Sequence, residues 1–225
     1  VKENHQVETV EVGKRGSGSY EQFIANVSAE EPNIELKFED DCIILYSSGT
    51  TGVPKGILHT HYSRYMFATR LAISNGFTQE AITLLTTPLY TNSTWAPMLP
   101  TLAVGGTIIV MKKFSPGRFL EISQKERPTH SVMVPTQYYM VLNHPDFDQF
   151  DVSSFKQLIS VASPLHKQTK LEIINKFNCK FTELYGLTEG PGTLLSPENV
   201  LKKPDSVGKP YFGTDIRIID EEGKE

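Results

Sequence analysis

Apolar residues fall into two alternating arrangements along this chain. Short runs, each bounded by turn-forming residues, occur at Cys42–Leu45, Ala81–Thr87, Thr107–Met111, Ser131–Val134, Leu158–Ala162 and Phe181–Leu184. Such runs read as buried strands. Between them, apolar residues recur at helical spacing. Tyr62, Tyr65, Met66, Thr69 and Ile73 predict a helix over 61–75, which Asn75-Gly76 ends well. A helix is expected near 94–103. Another starts at Ser115-Pro116, with an N-cap hydroxyl and a first-turn proline, and stops before Pro128. Pro135 opens the next, which ends at His144-Pro145. A helix over about 166–177 is expected to turn Leu171, Ile174 and Phe177 to the core.

Strands alternating with helices predict an α/β fold, with parallel sheets flanked by helices. Ligands in such sheets bind beyond the carboxyl ends of the strands. The predicted organisation is a polar lead-in over 1–40, an α/β core over 41–198 and a short β segment over 199–225. The lead-in carries Gly16-Ser17-Gly18-Ser19, read as a mobile loop, and Glu30-Glu31-Pro32, read as a linker. In the tail, Val207–Pro210 and Ile216–Ile219 read as short β pieces, and Asp220–Gly223 as a hairpin turn.

At 225 residues the chain can bury a sizeable core. A net charge of -4 gives no support to nucleic-acid or anionic-membrane binding. No apolar run is long enough to span a bilayer, and the polar start Val1-Lys2-Glu3-Asn4-His5 carries no signal-peptide pattern. Val1 is not an initiating methionine, so the natural start stays open. Cys42 and Cys179 read as buried free thiols in a reducing, cytoplasmic setting. His59 and His61 would share a face of a strand, but with no third ligand nearby they are assigned packing or surface roles. His130 and His144 are assigned to the surface or to caps.

The densest chemistry lies in Tyr46-Ser47-Ser48-Gly49-Thr50-Thr51-Gly52-Val53-Pro54-Lys55-Gly56. From Ser47 on, ten residues hold four hydroxyls, three glycines and one lysine. Glycine permits close backbone approach, successive N–H groups can form an anion nest, and lysine adds a point charge. This suits a polyphosphate. A plain turn between strands has the same composition. The Walker phosphate loop is disfavoured, because it needs Gly-Lys followed by Ser or Thr, and here Pro54 precedes Lys55 and Gly56 follows it.

This segment resembles the phosphate-binding signature of the adenylate-forming (AMP-binding) superfamily, which includes acyl-CoA synthetases, luciferases and peptide-synthetase adenylation domains. A second motif, Tyr185-Gly186-Leu187-Thr188-Glu189, follows in the order that family shows. Weaker resemblance runs from about Asp41 to Asp220. It implies part of the large N-terminal domain of an acyl-CoA synthetase. Family members exceed twice this length, so the chain reads as a central fragment. No Thr-Gly-Asp triplet for the ribose occurs. The family's hinge and C-terminal lysine are also missing, and the chain alone is expected to be catalytically crippled.

The resemblance implies ATP, Mg2+ and coenzyme A as ligands, and a small carboxylic acid as the substrate. It assigns Thr188, Glu189 and Lys55 to catalysis, with Glu189 on the metal. Nucleotide binding falls to Ser47, Ser48, Gly49, Thr50, Thr51, Gly52, Lys55, Tyr185, Gly186 and Thr188. The turn Ala162-Ser163-Pro164 is similar to the family's small-residue surface for adenine. Tyr90, Thr91, Trp95, Gly186 and Leu187 would border the acyl group. Thr91 stands where the family often has histidine, which leaves the acid class open. The leading expectation is an acyl-CoA ligase for a fatty or aromatic acid. A peptide-synthetase-type adenylation domain and a non-catalytic nucleotide-binding derivative are the alternatives.

Overall fold

A computed structural model describes residues 19–47, 54–190 and 192–225. The Gly16–Gly18 run and the loop residues Ser48–Val53 lie outside the described residues. The chain divides into two compact units, residues 1–36 and 37–225. In the first, Ser19–Ile24 forms a short helix, α1, which the lead-in reading did not anticipate.

The second unit opens with a hairpin. Strand β1 (Asp41–Ser47) pairs antiparallel with β2 (Lys55–Thr60), with Leu45 opposite Ile57 and Ser47 opposite Lys55. The apolar run in β1 was expected to be buried throughout. Instead only Leu45 is buried, while Ile44, Tyr46 and Cys42 are exposed. A two-stranded ribbon packs one face and leaves the other in water, so alternate residues turn outward. Cys42 is therefore not a buried thiol. Cys179 is half-buried, and burial pushes its thiol up to about 12.

The remaining strands are β3 (Ile82–Leu85), β4 (Thr107–Val110), β5 (His130–Met133), β6 (Gln157–Ser160), β7 (Lys180–Gly186), β8 (Gly192–Leu195) and β9 (Lys209–Pro210). Among the described residues they form one sheet in the order β4-β3-β5-β6-β7-β8-β9. The first five run parallel, and β8 and β9 continue the sheet antiparallel. Successive residues serve opposite faces. Met133 and Leu158 join one core cluster with Phe119, Tyr138 and Ile173, while Val132 and Ile159 join another with Ala72 and Phe77. Burial on both faces explains why these strands read as continuous apolar runs.

The connecting helices are α2 (His61–Asn75), α3 (Asn92–Ala103), α4 (Pro116–Glu126), α5 (Pro135–Leu142), α6 (Lys167–Phe177) and α7 (Pro197–Val200). Ser115 caps α4 as expected, its hydroxyl accepting from Arg118 N–H at 3.3 Å. Helix α2 has the predicted length and ends at Gly76 in the left-handed region, but its buried face differs. Arg64, Ala68, Leu71, Ala72 and Asn75 turn inward, whereas Tyr62, Tyr65 and Ile73 are exposed. Small Ala68 and Ala72 suit close packing of the helix, and the large aromatics meet Phe38 on its outer side, each with 5.8 Å between ring centroids. In α6, Phe177 is buried as expected, but Ile173, Thr169 and Lys170 are its companions, and Leu171 and Ile174 are only half-buried.

The tail carries less β structure than expected. Lys209–Pro210 pairs with β8, but Ile216–Ile219 forms no strand and Ile218 is 86% exposed. The Asp220 turn does close, with Gly223 N–H donating to the Asp220 carbonyl at 3.0 Å, without a flanking ladder.

His130 was expected at the surface or at a cap and is instead buried on β5. It stacks on Phe77 at 4.2 Å, and its Nδ1 lies 2.8 Å from Thr129 Oγ1. A histidine that opens a strand of a two-faced sheet is carried inside with it. Burial pushes it down to about 4, against the pull of the Asn75 backbone. Above its ordinary value near 6.5, neither the folded nor the unfolded state is protonated. Between 6.5 and 4 only the unfolded state takes the proton, so stability falls as pH falls, by about 1.4 kcal/mol per unit. Urea titrations across this window should show a component of about 3 kcal/mol that His130→Phe lacks. Equal pH slopes in the two proteins would refute this origin.

Candidate nucleotide and acid site

A cavity of about 490 Å3 gathers predicted site residues from four separate stretches, with Phe67 and Tyr211 completing its lining. Ser47 comes from the end of β1, Tyr90 and Thr91 from the turn before α3, Ala162 from the turn after β6, and Gly186, Leu187 and Thr188 from the end of β7. The last two stretches leave the carboxyl ends of parallel strands, where open α/β sheets present their ligands. The Ser47 stretch was expected beyond the carboxyl end of a strand in a parallel sheet, but β1 is antiparallel to β2. The stretch reaches the cavity from the separate hairpin instead. Another cavity, about 740 Å3, lies by His130, Gln157 and Lys180 at the amino ends of β5, β6 and β7, and gathers none of the predicted site residues.

Local chemistry fixes each wall. Ala162 has φ 76°, a left-handed conformation uncommon for a residue with a Cβ. The turn it belongs to is held from β7. Glu183 accepts from Leu165 N–H at 2.9 Å through one carboxylate oxygen, and its other oxygen pairs with Lys170. Both side chains are buried, and Lys170 also donates to the Pro204 carbonyl. One ion pair thus joins β7, the Ala162 turn, α6 and the segment before β9. On the opposite wall the Thr91 hydroxyl donates to the Pro88 carbonyl at 2.8 Å, and Thr94 donates to the same oxygen at 2.7 Å. These bonds set the Tyr90 turn, whose tyrosine is 80% exposed.

Other predicted residues stand outside this cavity. Ser163, Pro164 and Tyr185 are exposed beside it, and Lys55 is exposed at the start of β2. Trp95 donates from Nε1 to the Leu89 carbonyl at 2.9 Å and lines a neighbouring apolar groove with Ile43 and Leu45. Glu189 is exposed and lines a third cavity on the far side of Gly190. Ser48, Gly49, Thr50, Thr51 and Gly52 lie outside the described residues.

Two contributors carried no motif. Tyr211 is buried and its hydroxyl donates to the Gly190 carbonyl at 2.7 Å, which fastens the tail under the second motif. A Cβ at Gly192 would come within 2.6 Å of the Tyr185 carbonyl oxygen and 2.7 Å of Tyr211 Cε1, so glycine allows this closure. Arg64 is 6% exposed. It donates to Asn92 Oδ1 at 3.2 Å, sits 3.0 Å from His59 Nδ1 and lies over the Phe67 ring at 4.7 Å. Burial, then the Arg64 charge, lowers the His59 pKa. No group of three or more potential metal-ligating side chains forms among the described residues. No described helix is long and apolar enough to cross a membrane.

Known proteins of similar sequence and fold bear on this arrangement. The chain matches the AMP-binding enzyme family over residues 1–225. Feruloyl-CoA synthase of an Amycolatopsis species is 31% identical over 198 residues, which cover 87% of this chain and 40% of that protein. Long-chain-fatty-acid–CoA ligase FadD13 of Mycobacterium tuberculosis is 29% identical over 210 residues, 92% of this chain and 42% of the relative. The chain thus spans about two-fifths of the length of these curated relatives. The inhibitor-bound N-terminal domain of FACL13 from Mycobacterium tuberculosis superimposes with a TM-score of 0.84 at 28% identity, over 91% of this chain and 52% of that one. A match that runs from the first residue to the last, on a parallel sheet shared with solved relatives, places the assignment beyond the two short motifs: this protein belongs to the AMP-binding enzyme family.

Proposed function

We propose that the protein serves ATP-dependent activation of a carboxylic acid and its transfer to coenzyme A. The observation that carries this reading is the single cavity bordered by Ser47, Thr91, Ala162, Gly186, Leu187 and Thr188. In the first step a carboxylate oxygen attacks the α-phosphorus of ATP. The bond to the bridging oxygen breaks, and pyrophosphate leaves with the electron pair. In the second the coenzyme A thiolate attacks the acyl carbon, and AMP leaves. Neither step needs a protein nucleophile. The chain's task is to align the reactants and to answer developing charge.

The residues present fit these ligands. The Ala162 turn offers a small, flat backbone surface to a base. Thr188 lines the cavity and can donate its hydroxyl to a phosphate oxygen. Glu189 is a single exposed carboxylate next to Thr188, and Mg2+ favours one or two carboxylates completed by phosphate oxygens. Bound there, the ion would screen phosphate charge. Names of relatives point to aromatic or fatty acids as the substrate class. Leu187 and Tyr90, both exposed and apolar, suit either.

Binding of a fluorescent ATP analogue to the chain tests the reading directly. Thr188→Val keeps the shape of the side chain and removes its hydroxyl. It should weaken the nucleotide about tenfold, the effect of one hydrogen bond to a charged acceptor. Unchanged affinity, or no nucleotide binding by the parent chain, would remove the assignment.

A further inference from the structure

The cavity on the far side of Gly190 has chemistry of its own. Its volume is about 360 Å3, and its walls include His59, Arg64, Arg70, Glu189 and Asp215. Three buried nitrogens there have no hydrogen-bond partner among the described residues: His59 Nε2, Arg64 Nε and Arg70 Nε. Only two other orphaned side-chain atoms, Asn75 Oδ1 and Ser160 Oγ, occur among the described residues, and neither belongs to this cavity. Buried donors are nearly always satisfied in folded proteins, so a cluster of unsatisfied ones on one cavity marks a missing acceptor.

The charges point the same way. Arg64 is tethered by two groups without formal negative charge, Asn92 Oδ1 and His59 Nδ1. Neither Arg64 nor Arg70 forms an ion pair among the described residues, although Glu189 and Asp215 line the same cavity. A guanidinium held by uncharged partners in a buried place keeps its fork of donors for a planar or tetrahedral oxyanion. Arg70 lies against the Gly213 turn, where φ is 73° and a Cβ would come 2.8 Å from Arg70 Nη2. The tail therefore closes over the arginine without a side chain in the way. The cavity shares Phe67, Gly190 and Tyr211 with the nucleotide and acid site.

We propose that this cavity binds an oxyanion on Arg64 and Arg70. The acid-activation reading is needed only for the source of that anion. It is either a second carboxylate at the far end of the acid or the departing pyrophosphate, and both present the same oxygens to the guanidinium forks.

The test uses the whole chain without nucleotide, so it is independent of ATP binding. Calorimetric titration with glutarate, with butyrate as the monocarboxylate control, and with inorganic pyrophosphate is run at constant ionic strength. Saturable binding of glutarate or pyrophosphate, weakened at least tenfold by Arg70→Gln, is expected. Glutarate binding without pyrophosphate binding identifies the acid's tail as the source, and the reverse identifies the leaving group. Arg64→Lys keeps the charge and loses the fork, and should weaken binding as well. Arg70 is only partly buried, so Arg70→Gln remains informative if the Arg64 variant fails to fold. No binding of either anion to the parent chain, or equal binding by Arg70→Gln, would mean that solvent alone satisfies these donors and overturns the proposal.

Discussion

Glu183→Ala lowers the unfolding free energy by about 3–5 kcal/mol in urea titrations at neutral pH, the range for breaking a buried ion pair from one side. Its partner Lys170 is buried as well and would be left as an uncompensated charge. The same substitution takes the acceptor from Leu165 N–H, a buried donor. Removing both charges at once tells a different story. The double variant Lys170→Met, Glu183→Leu should recover most of the loss, because apolar side chains of similar volume replace buried pairs well. The two effects separate stability from positioning. The double variant still frees the Ala162 turn, so it should regain stability yet bind nucleotide more weakly than the parent. A loss under about 1 kcal/mol for Glu183→Ala, as for exposed pairs, would show that water reaches the pair.

Phe177→Ala should cost a similar amount, about 3–5 kcal/mol. Phe177 ends α6 and is the hub of an aromatic cluster. Its ring centroid lies 5.4 Å from Phe147, 5.6 Å from Phe155 and 6.5 Å from Phe119. All four rings are buried. Rigid neighbours from α4, α6 and the 147–155 segment cannot collapse into the space, so the transfer loss and the cavity add. Phe177→Leu fills most of the volume and should cost less than half as much. Equal losses for the two variants would mean that the edge-on ring contacts, rather than the volume, hold the cluster.

Much of the sheet was legible because its strands are buried on both faces. Leu158, Ile159, Val161 and Ala162 are apolar around a single serine for that reason, and the parallel direction followed from the helices between the strands. Ser115-Pro116 was legible for a local reason, since a cap works through neighbouring atoms alone. The inward face of α2 was not. Pattern reading gives weight to large apolar residues, and here Ala68 and Ala72 pack while Tyr62 and Tyr65 meet Phe38 outside. Arg64 was invisible because its burial depends on Asn92 and His59, two residues that only the fold brings to it. Tyr211 belongs to no motif, and its place under Gly190 arises from the antiparallel extension of the sheet. The split within the second motif was not legible either. Thr188 faces one cavity and Glu189 its neighbour, because consecutive residues leaving a strand diverge.

The hairpin has a consequence for how the protein opens. Strands β1 and β2 rest on one buried leucine and one buried histidine, whereas the central strands of the large sheet, β5 and β6, are buried on both faces. A two-stranded ribbon is marginal by itself. In a hydrogen-exchange measurement its amides are expected to exchange through local fraying, at free energies below that of global unfolding. Ser47, which reaches the cavity from this ribbon, therefore stands on a wall with less buried apolar support than the walls that the central sheet supplies.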